Sequence, residues 1–326
     1  MSAVLQAVLQ FPGAHSALKP AGPQARIVDG LWNSMYATAI VVFLLVMAAL
    51  LWAAFRRRRA EEPARDPARE RRMRRVVAAA AGITTIVLFT FLVSDISAGR
   101  AVTATPGKDA IQIIVTGHQW WWEVQYRDSV PQRWVTTANE IHVPVGRQVA
   151  VELRSTDVIH SFWPPNLTGK RDLIPGNENS LWFQADSAGV YRAECAEYCG
   201  HEHAKMALLV VAQSPDSFAR WLTQQRDTAH TPADSLTSRG QEVFLSSACV
   251  MCHSIAGTPA GSRVGPDLTH LASRATIAAG TLPNTRGNLA GWIVDPQRIK
   301  PGAKMPPNQL DPADLRALLA YLETLR

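Results

Sequence analysis

Apolar residues run unbroken along two stretches in the first hundred positions and are broken into short pieces after them. The long runs are MYATAIVVFLLVMAALLWAAF (35–55) and VVAAAAGITTIVLFTFLVSD (76–95). Each is about the length a helix needs to cross a hydrocarbon core of roughly 30 Å. Neither carries a charge before its closing Asp95 or Phe55. Uncharged runs this long are rare in soluble cores, so the pattern predicts a transmembrane hairpin of two helices within 31–95.

After the connector at 96–107 the period changes. IQIIVTG, WWWEVQY, ANEIHVPVG, QVAVELRST and ALLVVAQ are short, rich in β-branched residues and punctuated by Gly, Pro and Asp. They predict an antiparallel sandwich or Greek-key barrel over 108–213. SPDSFARWLTQQR predicts a short helix and DTAHTPADSLT a polar linker, so 214–235 connects two domains. The pattern over 236–326 is helical. Its closing segment, DPADLRALLAYLETLR, puts Leu315, Leu318, Leu319, Leu322 and Leu325 on one face. Asp311 is a candidate cap, with Pro312 at the first helical position.

Charge fixes an orientation. The segment RRRRAEEPARDPARERRMRR (56–75) has ten arginines against four acids, a net +6, and the whole chain is also +6. Everything outside this loop therefore sums to zero. Short basic loops between spans stay cytoplasmic. The expected topology has this loop inside, with the segment 1–30, the C-terminus and both later domains outside. An arginine cluster also reads as a nucleic-acid patch, but a loop pinned between two spans argues against that. MSAVLQAVLQFPGAHSAL has no cationic start and reads as mature chain.

The four cysteines form two pairs. Cys249-Val-Met-Cys252-His253 has the spacing that attaches a c-type haem: two thiols for thioethers and a histidine to ligate the iron. A thioredoxin-like pair is the rival. It would want a βαβ setting and needs no histidine directly after it. The sixth iron ligand should be a methionine or histidine. Residues 236–326 resemble class I cytochrome c, with GPDL at 265–268 and KPGAKMPP further on. That resemblance makes Met305 the expected distal ligand.

The other pair lies in AECAEYCGHEHAKM (193–206). A Cys195–Cys199 disulfide would close a very small loop and constrain little. Zinc wants four ligands of nitrogen and sulfur type, and the nearby Met206 argues instead for a softer metal such as copper. Two thiolates, two imidazoles and a thioether suit a metal that does redox work. A second imidazole must come from elsewhere, and STDVIHSFWPPN offers His160.

GHQWWWE, STDVIHSF, PNLTGKRDLIPG and CAEYCGHEHAKM stand in the order found in subunit II of haem–copper cytochrome c oxidases. With the two preceding spans and the fused haem domain, nearly the whole chain resembles a caa-type subunit II. The resemblance implies a membrane-anchored, multidomain fold: a two-helix hairpin, an all-β cupredoxin domain and an all-α class I cytochrome c domain. It implies a binuclear copper A centre in which Cys195 and Cys199 bridge two coppers. His160 and His203 would bind one copper each, Met206 would complete one, and Glu197 would offer its backbone carbonyl to the other. The Glu197 carboxylate is also implied at a magnesium ion shared with subunit I. Trp120 matches the tryptophan at which electrons enter from cytochrome c, while Trp121 and Trp122 read equally well as core packing. By the same spacing His201 is not a ligand, His118 matches a non-ligand position, and His142 has no constellation. Two features depart from the family. The acid that guards a proton path has no clear counterpart, Glu70 being the nearest, and IPG is followed by Asn177.

The function implied is that of an oxidoreductase and translocase subunit in a bacterial inner membrane. Electrons would pass from haem c to copper A and on to the oxygen site of subunit I, coupled to proton pumping. The donor would be a cytochrome c or an upstream respiratory complex. The rivals are a copper A-containing nitric oxide reductase subunit, whose distinguishing site lies in its partner, and a copper chaperone. A chaperone would lack His203 and Met206 at this spacing and the fused haem.

Overall fold

The computed structural model describes residues 15–56 and 66–326, in two compact units, 26–104 and the rest. The first unit holds α1 (Pro23–Arg56) from Arg26 onward and all of α2 (Pro67–Val102), helices of 34 and 36 residues. At about 1.5 Å per residue each exceeds the thickness of a bilayer core. Both are long and apolar enough to cross a membrane, and side chains such as Phe43, Leu45, Leu88 and Phe89 are exposed. Asp66 caps α2 by accepting from the Ala68 N–H at 2.8 Å, with Pro67 at the first position. Both helices extend beyond the apolar runs that revealed them, because polar first and last turns carry no hydropathy signal. Of the arginine-rich loop expected over 56–75, residues 57–65 lie outside the described residues, as do residues 1–14, while Arg69, Arg71, Arg72, Arg74 and Arg75 stand on the first turns of α2.

The second unit begins with ten strands: β1 (Ile111–His118), β2 (Trp121–Tyr126), β3 (Val135–Ala138), β4 (Glu140–Pro144), β5 (Val149–Ser155), β6 (His160–Trp163), β7 (Arg171–Leu173), β8 (Asn179–Phe183), β9 (Gly189–Cys195) and β10 (Ala207–Gln213). They form two five-stranded sheets, in the orders β3-β2-β1-β5-β8 and β4-β10-β9-β6-β7. The pairs β1–β5 and β4–β10 are parallel, and the other pairings within the two sheets are antiparallel. Alternating side chains of β2 and β5 enter the core. There Trp122, Phe162, Phe183, Val151 and Leu153 are fully enclosed. The segment before α1 lies on this sandwich: Ala21 N–H donates to Asn166 O at 2.7 Å, and Ala21 O accepts from Asp186 N–H at 2.9 Å.

Helix α3 (Pro215–Gln224) follows, capped by Ser214. The last domain contains α4 (Ser235–Ser246), the short strands β11 (Thr276–Ile277) and β12 (Leu282–Pro283), then α5 (Arg286–Val294), α6 (Pro296–Ile299) and α7 (Pro312–Leu322). Asp234 and Thr237 form a capping box on α4. Helices α4 and α7 pack through Phe244 and Tyr321, ring centroids 6.4 Å apart. Leu318, Leu319, Leu322 and Leu325 join them in one core. Asp311 stands at the N-cap of α7 but its side chain makes no capping bond. Arg239 of α4 instead pairs with Asp314 at 3.0 Å, tying the two helices at that end.

One strand explains how the two domains meet. ALLVVA in β10 is apolar without alternation because both of its faces are covered. Leu208 and Val210 enter the sandwich core. Leu209 and Val211, with Val190, meet Ala275 of the helical domain.

Candidate functional site

The first site is built where β6 and β9 reach one end of the sandwich. His160 opens β6 and Cys195 closes β9. The chain then loops through 196–206 before re-entering the sheet as β10. The loop is closed at its base by Cys195 N–H to Met206 O at 3.0 Å, and Ala196 N–H donates to Ser161 O at 2.9 Å. A short 3-10 turn, His203–Lys205, brings His203 back toward the cysteines.

Among the described residues, ligand atoms of His160, Cys195 and Cys199 lie within 4.8 Å of one another. The two sulfurs are 3.7 Å apart, far beyond the roughly 2.05 Å of a disulfide, and both cysteines are free. Around them stand His160 Nδ1, 3.8 Å from Cys195 Sγ, and His203 Nδ1, 3.5 Å from Cys199 Sγ. Met206 Sδ is 3.9 Å from Cys199 Sγ, and the Glu197 carbonyl oxygen is 3.2 Å from Cys195 Sγ. All six sequence-expected copper residues thus converge on one point. His160, Cys199 and Met206 are almost wholly buried. His201 is exposed.

Electrostatics favours a soft cation here. The hydrogen bond shared with Cys199 holds the Cys195 thiol well below the usual thiol range, and the same bond pushes Cys199 up. The pair surrenders one proton easily and the second only when positive charge lies between the sulfurs. Burial pulls the His160 imidazole down, but its contacts with Cys195 and Asp157 outweigh that and raise it. Asp157 Oδ1 takes the hydrogen bond of His160 Nε2 at 2.9 Å. That leaves Nδ1 free to face the sulfurs. Thiolate, thioether and imidazole donors in a dry pocket fit copper.

The second site is a cavity of about 360 Å³, lined by Cys249, Cys252, His253 and Met305 among apolar side chains of the helical domain. The cysteines lie at the 3-10 turn Ala248–Met251. His253 Nδ1 donates to Pro266 O at 2.7 Å, which orients the ring and keeps its other nitrogen available. Burial lowers the pKa of His253, favouring the neutral imidazole a metal requires. Arg274 also lines this cavity, is buried, and has an unpartnered Nε. A carboxylate carried by a bound cofactor would satisfy it. The pocket therefore fits a haem.

Gln119, Trp120 and Trp121 of the sandwich line the same cavity. Trp120 stands before β2 rather than on it. Its Nε1 donates to Cys199 O at 3.1 Å, beside Gln119 Nε2 to the same oxygen at 2.8 Å. Trp122 is a core residue, 6.0 Å centroid to centroid from His160. Trp121 stacks on His118 at 4.4 Å, and His142 stacks on Trp221 at 4.2 Å.

Several positions that matter gave no separate signal in the sequence. A Cβ on Gly117 would stand 2.7 Å from the His160 ring, and one on Gly265 would stand 2.8 Å from the His253 ring. Each histidine is thus backed by a glycine that leaves it room. Asp157 lies three residues before His160, where a helix or strand pattern gives it no special weight. Arg274 and Lys300 look like ordinary surface cations until the docked domains bury them.

Residues 111–213 match the family model "Cytochrome C oxidase subunit II, periplasmic domain", and residues 237–326 match "Cytochrome c". "Cytochrome c oxidase subunit 2" of Bacillus subtilis (strain 168) is 31% identical over 255 residues, covering 75% of this chain and 70% of that one. The chain belongs to the cytochrome c oxidase subunit 2 family. The protein of the same name from Alkalihalophilus pseudofirmus is 38% identical over 221 residues, 68% of this chain and 63% of its own length. That from Bacillus sp. (strain PS3) is 31% identical over 251 residues, 74% and 68%. The subunit 2 chain described here carries its copper-type cluster and its cytochrome c domain in one polypeptide, the caa-type arrangement.

Proposed function

We propose that this chain is the subunit through which electrons enter a terminal cytochrome c oxidase. They would be taken up at the haem domain, delivered through the copper domain to subunit I, and used there to reduce oxygen with coupled proton pumping. The observation that carries this reading is Trp120, which lines the haem cavity and hydrogen-bonds the carbonyl of Cys199. Cys249 and Cys252 would hold the haem covalently, and His253 and Met305 would bind its iron. Cys195, Cys199, His160, His203, Met206 and the Glu197 carbonyl would hold two coppers. When bound, these groups would supply one-electron chemistry.

The chain's own residues keep the cluster's geometry fixed. Asp157 holds His160 in one tautomer, and the sandwich core holds Cys195 and Met206 in register through a backbone bond. Trp122 and Phe162 exclude water behind the cluster. The half-buried Glu197 is the candidate for a magnesium ion shared with subunit I. The segment before α1 packs on the same sandwich that follows α2. That supports a hairpin with both ends and both redox domains on the periplasmic side of a bacterial inner membrane. The immediate donor would be a cytochrome c or an upstream respiratory complex.

The test is the composition and activity of the chain purified with its partners. Two coppers and one haem c per chain, a near-infrared mixed-valence band and oxygen uptake from reduced cytochrome c are expected. Zinc, or a single copper without that band, would sink the reading. Turnover of nitric oxide but not oxygen would replace the acceptor.

A further inference from the structure

The polar groups that neither centre uses gather where the two domains meet. Lys300 is only 2% exposed. Its Nζ donates to Trp120 O and Lys205 O, both at 2.7 Å, and approaches Ala278 O at 3.4 Å. Lys205 returns the contact, its Nζ donating to Ile299 O at 2.8 Å. Each domain thus sends one lysine into the backbone of the other, next to or at the opposing lysine. Burying an amine this deeply is unfavourable unless its hydrogens are used. Burial pulls Lys300 down to about 7, and even the neutral amine has a hydrogen for each of the two short contacts.

The acceptors belong to the site. Trp120 touches both the haem cavity and Cys199. Lys205 sits between His203 and Met206 in the copper loop. The turn between β11 and β12 is shaped for the same contact. Ala278, Ala279 and Gly280 have φ of 54°, 56° and 74°. A left-handed alanine costs on the order of 1 kcal/mol and persists where its surroundings require it. Here Ala279 O accepts from Ala207 N–H at 3.0 Å, and Gly280 O from Arg192 Nη1 at 3.3 Å. Ala275 N–H donates to the buried Glu140 carboxylate at 2.7 Å.

We propose that Lys300 is a positioning residue which, with Lys205, forms a reciprocal clasp locking the haem domain onto the copper loop. The two centres then meet in one fixed arrangement instead of through the search of a tethered domain. This rests on the electron-transfer reading above, but its first readout does not.

That readout is hydrogen–deuterium exchange of the full chain in its assembled oxidase. In K300M, peptides carrying the Ala207 and Ala275 amides should lose protection, while β1 and β5 stay protected and both absorption signatures persist. K205M, which removes one donor and keeps the Lys205 carbonyl, should lose part of that protection. Wild-type protection at both amides in a folded K300M overturns the clasp. If K300M does not assemble, unchanged protection in K205M overturns it. The second readout is the rate of haem-to-copper transfer after flash reduction. It should be independent of viscosity in the wild type, and slower by several-fold and viscosity-dependent in the variants. Variants with wild-type rates at every viscosity also contradict the clasp. Absence of transfer in the wild type would defeat the electron-transfer reading alone, because the exchange result stands without it.

Discussion

The indole Nε1 of Trp120 donates to the carbonyl oxygen of Cys199 at 3.1 Å, and the same residue lines the cavity that holds Cys249, Cys252 and His253. One residue therefore touches both candidate sites. W120F keeps an aromatic ring in the cavity wall and loses the hydrogen bond, worth about 1 kcal/mol. Haem-to-copper transfer should slow several-fold with little change in melting temperature or in either spectrum. Flash kinetics on the purified variant check this, and an unchanged rate removes Trp120 from the route.

The glycines behind the two histidines give a steric prediction. In G117A the new methyl would meet the His160 ring at 2.7 Å, and in G265A it would meet the His253 ring at 2.8 Å. Overpacking of this kind costs about 1–3 kcal/mol. Because a ligand absorbs the shift, G117A should lower copper occupancy or alter the near-infrared band while leaving the haem spectrum intact. G265A should do the reverse. Metal analysis and absorption spectra separate the two effects.

Met305 lines the haem cavity together with His253. M305A should leave the haem attached through Cys249 and Cys252 but convert it to a high-spin or differently ligated form. Loss of the methionine–iron absorption and a lower potential are expected. A spectrum identical to wild type would assign the sixth ligand elsewhere.

Burial lowers His118 to about 4 from an ordinary value of 6.5. Asp157 opposes that shift, and His160 and Lys304 reinforce it. The folded state therefore keeps His118 neutral where the unfolded chain would protonate it. Between pH 6.5 and about 4 the unfolded state binds the extra proton, so stability falls as pH falls through this window. The melting temperature of the sandwich domain should drop more steeply on acidification in the wild type than in H118Q. Parallel pH profiles would show that His118 contributes nothing to the acid sensitivity.

How much of this was written in the chain depends on how local the signal is. The two long helices are visible as apolar runs, though their polar ends are not: α1 begins at Pro23, twelve residues before its run. CVMCH and CAEYCGHEHAKM carry their chemistry in consecutive residues, so their candidates could be named directly. His160 lies 35 residues from Cys195 and reaches it only because β6 and β9 pair, Phe162 opposite Cys195. Four of the strands around it, β6 to β9, are too short or too polar to stand out. The interface was hidden most deeply. Lys205, Arg274 and Lys300 have the composition of solvent-facing residues, and the docking of one domain on the other is what takes Lys205 to Ile299 O and Lys300 to Trp120 O and Lys205 O. The unbroken apolar run of β10 was the one local trace of that second covered face.

Electron passage between the two centres can be followed by a flash experiment on the intact oxidase with haem c and copper both loaded. A short light pulse reduces the haem through an attached photoreductant, and both absorption signatures are followed. Haem reoxidation and bleaching of the near-infrared copper band should share one rate, independent of protein concentration. A haem that stays reduced while the copper band is unchanged, or a rate that rises with concentration, would contradict it.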